Sequence, residues 1–220
     1  IEEDIAEDTT YNILGINGIT VWDLAQGHST IANDGVKNTL HIVDTVLTSD
    51  GSKELYKTAQ ENQQVFDAND CHLVQKAMQG TTTYGTAAGV STRLGRQVAG
   101  KSGTANDEKA ASFVGYTPQL LNVWAIWNPA EDGSAQEVPS FAGYGVSSTG
   151  YPSHLFEEFM SLALQNQEVL TFTEPTDNGK IGGPDGTWGT GAQKTETRQN
   201  QEMPKAEENT EQTTPDPTQN

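Results

Sequence analysis

Three stretches in the middle of this chain read as successive β-strands: Gln97 to Thr104, Ala111 to Tyr116 and Leu120 to Trp127. Their connections are too short for a crossover, which leaves antiparallel neighbours. Thr117-Pro118 suits the tight turn between the last two. An antiparallel sheet is thus the feature that most limits the fold, and the remaining apolar segments must cover it.

Those segments read mainly as helices. Thr20 to Asn33 starts with Thr20, followed by Asp23 in the spacing of a capping box, and Asn33-Asp34-Gly35 supplies a stop. Leu24, His28, Ile31 and Ala32 recur at helical spacing along it. His41 to Leu47 alternates like a strand. The turn Ser49-Asp50-Gly51-Ser52 leads to a return strand near Leu55-Tyr56. A second helix is expected from Asp67 or Asn69 to Gln79, burying Leu73, Val74, Ala77 and Met78 and ended by Gly80. Thr81 to Gly95, rich in Thr and Gly, reads as loop. Ser153 is expected to cap a last helix running to about Gln165, with Leu155, Phe156, Phe159, Met160 and Ala163 on its apolar side. Helix, hairpin, helix, three strands and helix make an α+β pattern.

Only 34% of the 220 residues are hydrophobic, and they concentrate between Ile13 and Phe172. We therefore expect a folded part at 1–172 and a disordered acidic tail, rich in Gly, Pro, Thr and Gln, at 173–220. Twelve basic against thirty acidic residues give a formal charge of −18. Such a surface repels phosphate backbones and anionic lipid, so neither nucleic acid nor direct membrane contact is expected. One cysteine, Cys71, excludes an internal disulfide framework. No run of apolar residues reaches membrane-span length, and the chain opens on Ile1, which suggests a fragment whose anchor lies upstream.

The densest cluster of reactive groups is Gly100-Lys101-Ser102-Gly103-Thr104. With Gly95 it satisfies the pattern of a phosphate-binding loop. That loop needs a buried strand before it and a helix after it, and the flanking residues here supply neither. The alternative is a resemblance: Lys101-Ser102-Gly103 is similar to the Lys-Ser/Thr-Gly triplet that serine acyltransferases carry on an edge strand beside their site. There Lys101 supplies a fixed cation, the hydroxyls of Ser102 and Thr104 share one face, and Gly103 lets the strand pack closely.

The surroundings favour the second reading. Ile19 to Ala25 with Ser29 to Val36, Gly95 to Asp107, Phe113 to Leu120, and Phe156 to Met160 resemble, in this order, blocks of the class A (bifunctional) penicillin-binding proteins. The resemblance covers about Tyr11 to Gln165 and includes their Lys-Ser/Thr-Gly triplet. It implies a serine β-lactamase/transpeptidase-like α+β fold, an antiparallel sheet flanked by helices, incomplete on its N-terminal side. It implies D,D-transpeptidase chemistry outside the bacterial cytoplasmic membrane, on D-Ala-D-Ala stem peptides and β-lactams, with no cofactor. Lys101 would assist proton transfer, Ser102 and Thr104 would hold the substrate carboxylate, and the Thr104 N–H would serve the oxyanion. Gly103 completes the triplet.

Two family motifs are missing. No Ser-x-x-Lys and no Ser-x-Asn occurs anywhere in the chain, so we expect the nucleophile to lie upstream, along with the rest of the domain, and the chain alone to be inactive. A hydrolytic relative (D,D-carboxypeptidase or β-lactamase) and a non-catalytic binding module of the same fold are the alternatives. His28, His41, His72 and His154 lack ligand spacing with one another or with Cys71, and no metal site is expected. Trp188 stands apart from any apolar segment.

Overall fold

The computed structural model describes residues 18–141, 143–145 and 150–176. The expected acidic tail lies outside the described residues from Asp177 onward, as does Trp188. The described part is mixed α and β, built around an antiparallel sheet in the order β5-β6-β7-β8: Ala99–Thr104, Ala110–Tyr116, Leu121–Pro129 and Ala135–Gln136. Between β6 and β7, the Thr117 N–H donates to the Leu120 carbonyl at 3.0 Å, closing the tight turn expected there.

Helix α1 spans Val21–Ala32. Thr20 Oγ1 accepts from the Asp23 N–H at 3.0 Å and donates to the Asp23 carboxylate at 2.8 Å, so the capping pair forms. At its other end Gly35 has φ +83° and donates to the Thr30 carbonyl. A side chain at 35 would lie 2.3 Å from the Phe66 carbonyl oxygen, which leaves glycine the only fit.

The strands β2 (Thr45–Leu47) and β3 (Glu54–Lys57) form the expected hairpin, shorter than its apolar pattern suggests. A second pair, β1 (Val36–Asn38) with β4 (Asn62–Gln64), has no alternating pattern to announce it. Its polar strands are held beside α1 by Gln26, which donates to the Asn38 carbonyl and accepts from the Leu40 N–H.

Helix α2, Ala68–Thr83, corrects two expectations. It runs through Gly80, and the side it buries carries Cys71, Gln75 and Thr82, while Leu73, Val74 and Ala77 lie exposed. Position along a helix gives its stripe, but here the stripe that faces α1 and β5 is the more polar one. Gln75 makes that burial tolerable by donating to the Ile31 carbonyl of α1 at 2.7 Å. The expected loop at 81–95 instead contains the last turn of α2 and a short helix, α3, Val90–Leu94.

Helix α4, Tyr151–Ala163, is capped at Gly150, with Ser153 inside its first turn donating to the Gly150 carbonyl. Phe156, Met160 and Leu164 carry its buried side, whereas Phe159 and Ala163 are exposed. The helix covers one face of the sheet, where Phe156 meets Phe113 edge-on at 5.1 Å and packs with Val90, Val98 and Met160. The opposite face holds Ala99, Tyr116 and Phe172 with Ala32 and Met78 of the helices α1 and α2. Beyond α4 the chain returns past the sheet. Phe172 packs on Tyr116, Thr176 exchanges two hydrogen bonds with Asn69, and Glu174 pairs with Lys76.

Candidate functional site

Strand β5 carries all four predicted site residues in extended form, in register with β6: Lys101 opposite Val114, Ser102 opposite Phe113, Gly103 opposite Ser112 and Thr104 opposite Ala111. A phosphate loop requires these residues at a helix N-terminus, so the match to that pattern reflects composition alone. Directly opposed residues share a face. Gly100, Ser102 and Thr104 therefore lie on the face of Phe113 and Gly115, and Lys101 and Gly103 lie on the other.

Why the strand can sit so close is legible in its glycines. A Cβ at Gly100 would stand 2.8 Å from the Phe113 ring and 3.1 Å from the Thr82 methyl. At Gly103 it would stand 2.6 Å from the Ser112 hydroxyl. That neighbour is the rotatable end of the residue paired with Gly103 across the sheet, so the contacts at Gly103 do not show the close packing behind the strand that the sequence led us to expect.

The backbone of β5 has an inner side, bonded to β6, and an outer edge. The Ala105 N–H donates to Ala110 across the sheet. Strand alternation then turns the peptide groups of Val98, Gly100, Ser102 and Thr104 outward. Thr82 Oγ1 donates to the outward Val98 carbonyl, and Lys101 Nζ donates to the outward Ser102 carbonyl at 2.6 Å. The Lys101 ammonium is thereby folded along the outer edge of its own strand, exposed, beside the outward N–H of Thr104.

Two neighbours of this edge were not among the predicted site residues. Thr86, in the segment between α2 and α3, places its hydroxyl 2.8 Å from that of Ser102, which is itself only 8% exposed. His28 of α1 feels Lys101: burial first, and then the Lys101 charge, hold its imidazole below the ordinary value of 6.5. His28 Nδ1 is buried and has no hydrogen-bond partner among the described residues. Neither residue lies near the triplet in the chain, and only the helical spacing of His28 hinted that it points inward.

The site therefore offers a cation, a pair of hydroxyls of which Ser102 is buried and Thr86 exposed, and outward amides along one strand edge. Such a set suits an acyl group bearing a carboxylate, with negative charge met by the cation and by N–H groups.

Comparison with known proteins bears on this arrangement. The family model described as the penicillin binding protein transpeptidase domain matches residues 4–146. Penicillin-binding protein 1A of Neisseria flavescens is 32% identical over 179 residues, 76% of this chain and 21% of that protein. The chain thus spans about a fifth of that relative's length. A penicillin-binding protein of Mycobacterium tuberculosis superposes with a TM-score of 0.55 at 27% identity, over 70% of this chain and 41% of that one. Penicillin-binding protein 1A from Haemophilus influenzae gives 0.60 at 16% identity, over 75% and 29% respectively, a likeness of fold alone.

Proposed function

Because this chain belongs to the penicillin-binding protein transpeptidase family, we propose that it forms one wall of a serine D,D-transpeptidase site that crosslinks peptidoglycan stem peptides outside the cytoplasmic membrane. The observation that carries the reading is the outer edge of β5, where Lys101, Ser102 and Thr104 line up in extended register beside α2. In that reaction a serine hydroxyl attacks the D-Ala-D-Ala carbonyl, the terminal D-Ala leaves, and an amine of a neighbouring peptide takes the acyl group.

Each residue then has a separate task. The outward N–H of Thr104 donates to the carbonyl oxygen as it becomes an oxyanion. Ser102 and Thr104 hold the terminal carboxylate of the stem peptide, or the carboxylate of a β-lactam that mimics it. Lys101 offsets the negative charge gathered at the site and assists proton transfer to the leaving amine. Gly103 leaves the strand without a side chain on its other face, so that the edge keeps its line. The nucleophile belongs to a segment outside this sequence, which contains no Ser-x-x-Lys.

The test is covalent labelling with a fluorescent penicillin. The full-length protein is expected to become labelled at one serine outside residues 1–220, and the isolated chain to stay unlabelled. Stoichiometric labelling of the isolated chain would move the nucleophile into this sequence. No label on the full-length protein removes the transpeptidase reading and leaves the non-catalytic binding module.

A further inference from the structure

Two hydroxyls tie the end of α2 to β5 with matched spacing. Thr82 bonds the carbonyl of Val98, and four residues on, Thr86 meets the side chain of Ser102 at 2.8 Å. The first bond is structural, since Thr82 is fully buried and also meets Ser91. The second is different, because Thr86 is exposed and its partner is a proposed ligand of the substrate carboxylate.

Thr86 does not hang on a loose loop. The Gly85 N–H donates to Gly80 and the Ala87 N–H to Thr81, folding the segment back on the last turn of α2. Ala87 and Val90 are buried in the core beside Phe113 and Phe156. The backbone that presents the Thr86 hydroxyl is therefore fixed by packing, while the hydroxyl itself stays within reach of a ligand at the edge of β5.

A hydroxyl has one proton to donate and two lone pairs to accept with. A carboxylate can only accept. If Ser102 donates to Thr86, its single proton is used and Ser102 cannot bond a carboxylate. If Thr86 donates to Ser102, the Ser102 proton is left to point at the ligand, and the chain of two bonds polarises it further. Resting on the reading of Ser102 as a carboxylate ligand, we propose that Thr86 is a positioning residue, whose hydroxyl donates to Ser102 and thereby aims the Ser102 proton at the substrate carboxylate.

The experiment measures second-order acylation rates of the full-length protein with a fluorescent penicillin and with its carboxylate methyl ester. Thr86→Val, which keeps the shape and removes the hydroxyl, is expected to slow the free acid about fivefold, the worth of one ordinary hydrogen bond. It should change the ester less than twofold. Thr86→Ser should restore the rate, and Thr86→Val should add nothing in a Ser102→Ala background. Thr86→Ala replaces the valine variant if valine at 86 does not fold.

The outcomes separate the two claims. A wild-type rate for Thr86→Val beside a slowed Ser102→Ala overturns the role of Thr86 and leaves that of Ser102. An equal loss on acid and ester shows a merely structural part for Thr86 and overturns the inference as well. A wild-type rate for Ser102→Ala overturns the carboxylate reading itself.

Discussion

At the scale of single residues, the site is a matter of which groups flank Lys101. His28 is half-buried in α1, and its Nδ1 lacks a partner among the described residues. Burial and the nearby ammonium both disfavour its charged form, so its folded pKa lies below the unfolded value of 6.5. The unfolded chain then binds the extra proton first as pH falls. Stability from this group is complete above pH 6.5 and is lost as pH drops below 6.5 toward the lower folded-state value. Urea unfolding between pH 7.5 and 5 is expected to show that loss, and His28→Gln to flatten the profile over this window. An unchanged profile in His28→Gln would mean that neither burial nor the Lys101 charge holds this imidazole below its ordinary value. The triplet and its alternation were legible in the sequence, because two-residue periodicity is a local property. His28 and Thr86 were not, because they reach β5 from segments far away in the chain.

At the scale of elements, the end of α4 depends on one side chain from the segment before β5. Arg96 donates to the carbonyls of Leu164, Gln167 and Glu168, at 2.8, 2.6 and 2.7 Å. Leu164 is the C-cap of α4, where a cation complements the helix dipole, and Gln167 and Glu168 lie in the segment that follows, so one guanidinium ties that segment to the helix end. Arg96→Ala is expected to lower unfolding free energy by roughly 1–3 kcal/mol in urea titrations, the cost of leaving such groups poorly bonded. Arg96→Lys should recover only part of it, since a lysine cannot span three carbonyls in a fixed fork. A loss below about 0.5 kcal/mol in Arg96→Ala would show that water serves these carbonyls equally well. The existence of α1, α2 and α4 was readable from caps and spacing. The buried side of α2 was not, because Leu73 and Val74 mark an apolar stripe that stays exposed among the described residues. The pair β1 and β4 escaped notice because backbone bonds and Gln26 hold it, with no apolar alternation to betray it.

At the scale of the whole molecule, the sheet has covered faces and an uncovered side. Helices α1 and α4 both pack on β7, yet only Asn128 and Pro129 of that strand find a partner in β8. From Leu121 to Trp127 the outer edge has no strand partner among the described residues. Large apolar side chains are also open to solvent, with Ile42 at 89%, Leu162 at 75% and Trp127 at 64% exposure. Open strand edges and apolar patches recruit other chains. The isolated chain is expected to associate with rising concentration in sedimentation velocity runs, and a monomer at every concentration would show that these surfaces are self-sufficient. The sequence by itself determined the antiparallel order of β5, β6 and β7, the three long helices, and the extended course of Lys101 to Thr104. Those follow from periodicity, capping and turn chemistry, which act between residues a few positions apart. Only the tertiary structure decided that Thr86 meets Ser102, that the Lys101 charge acts on His28, and that α2 turns its polar side inward. Such meetings depend on how whole elements pack, and no spacing within any one of them encodes it.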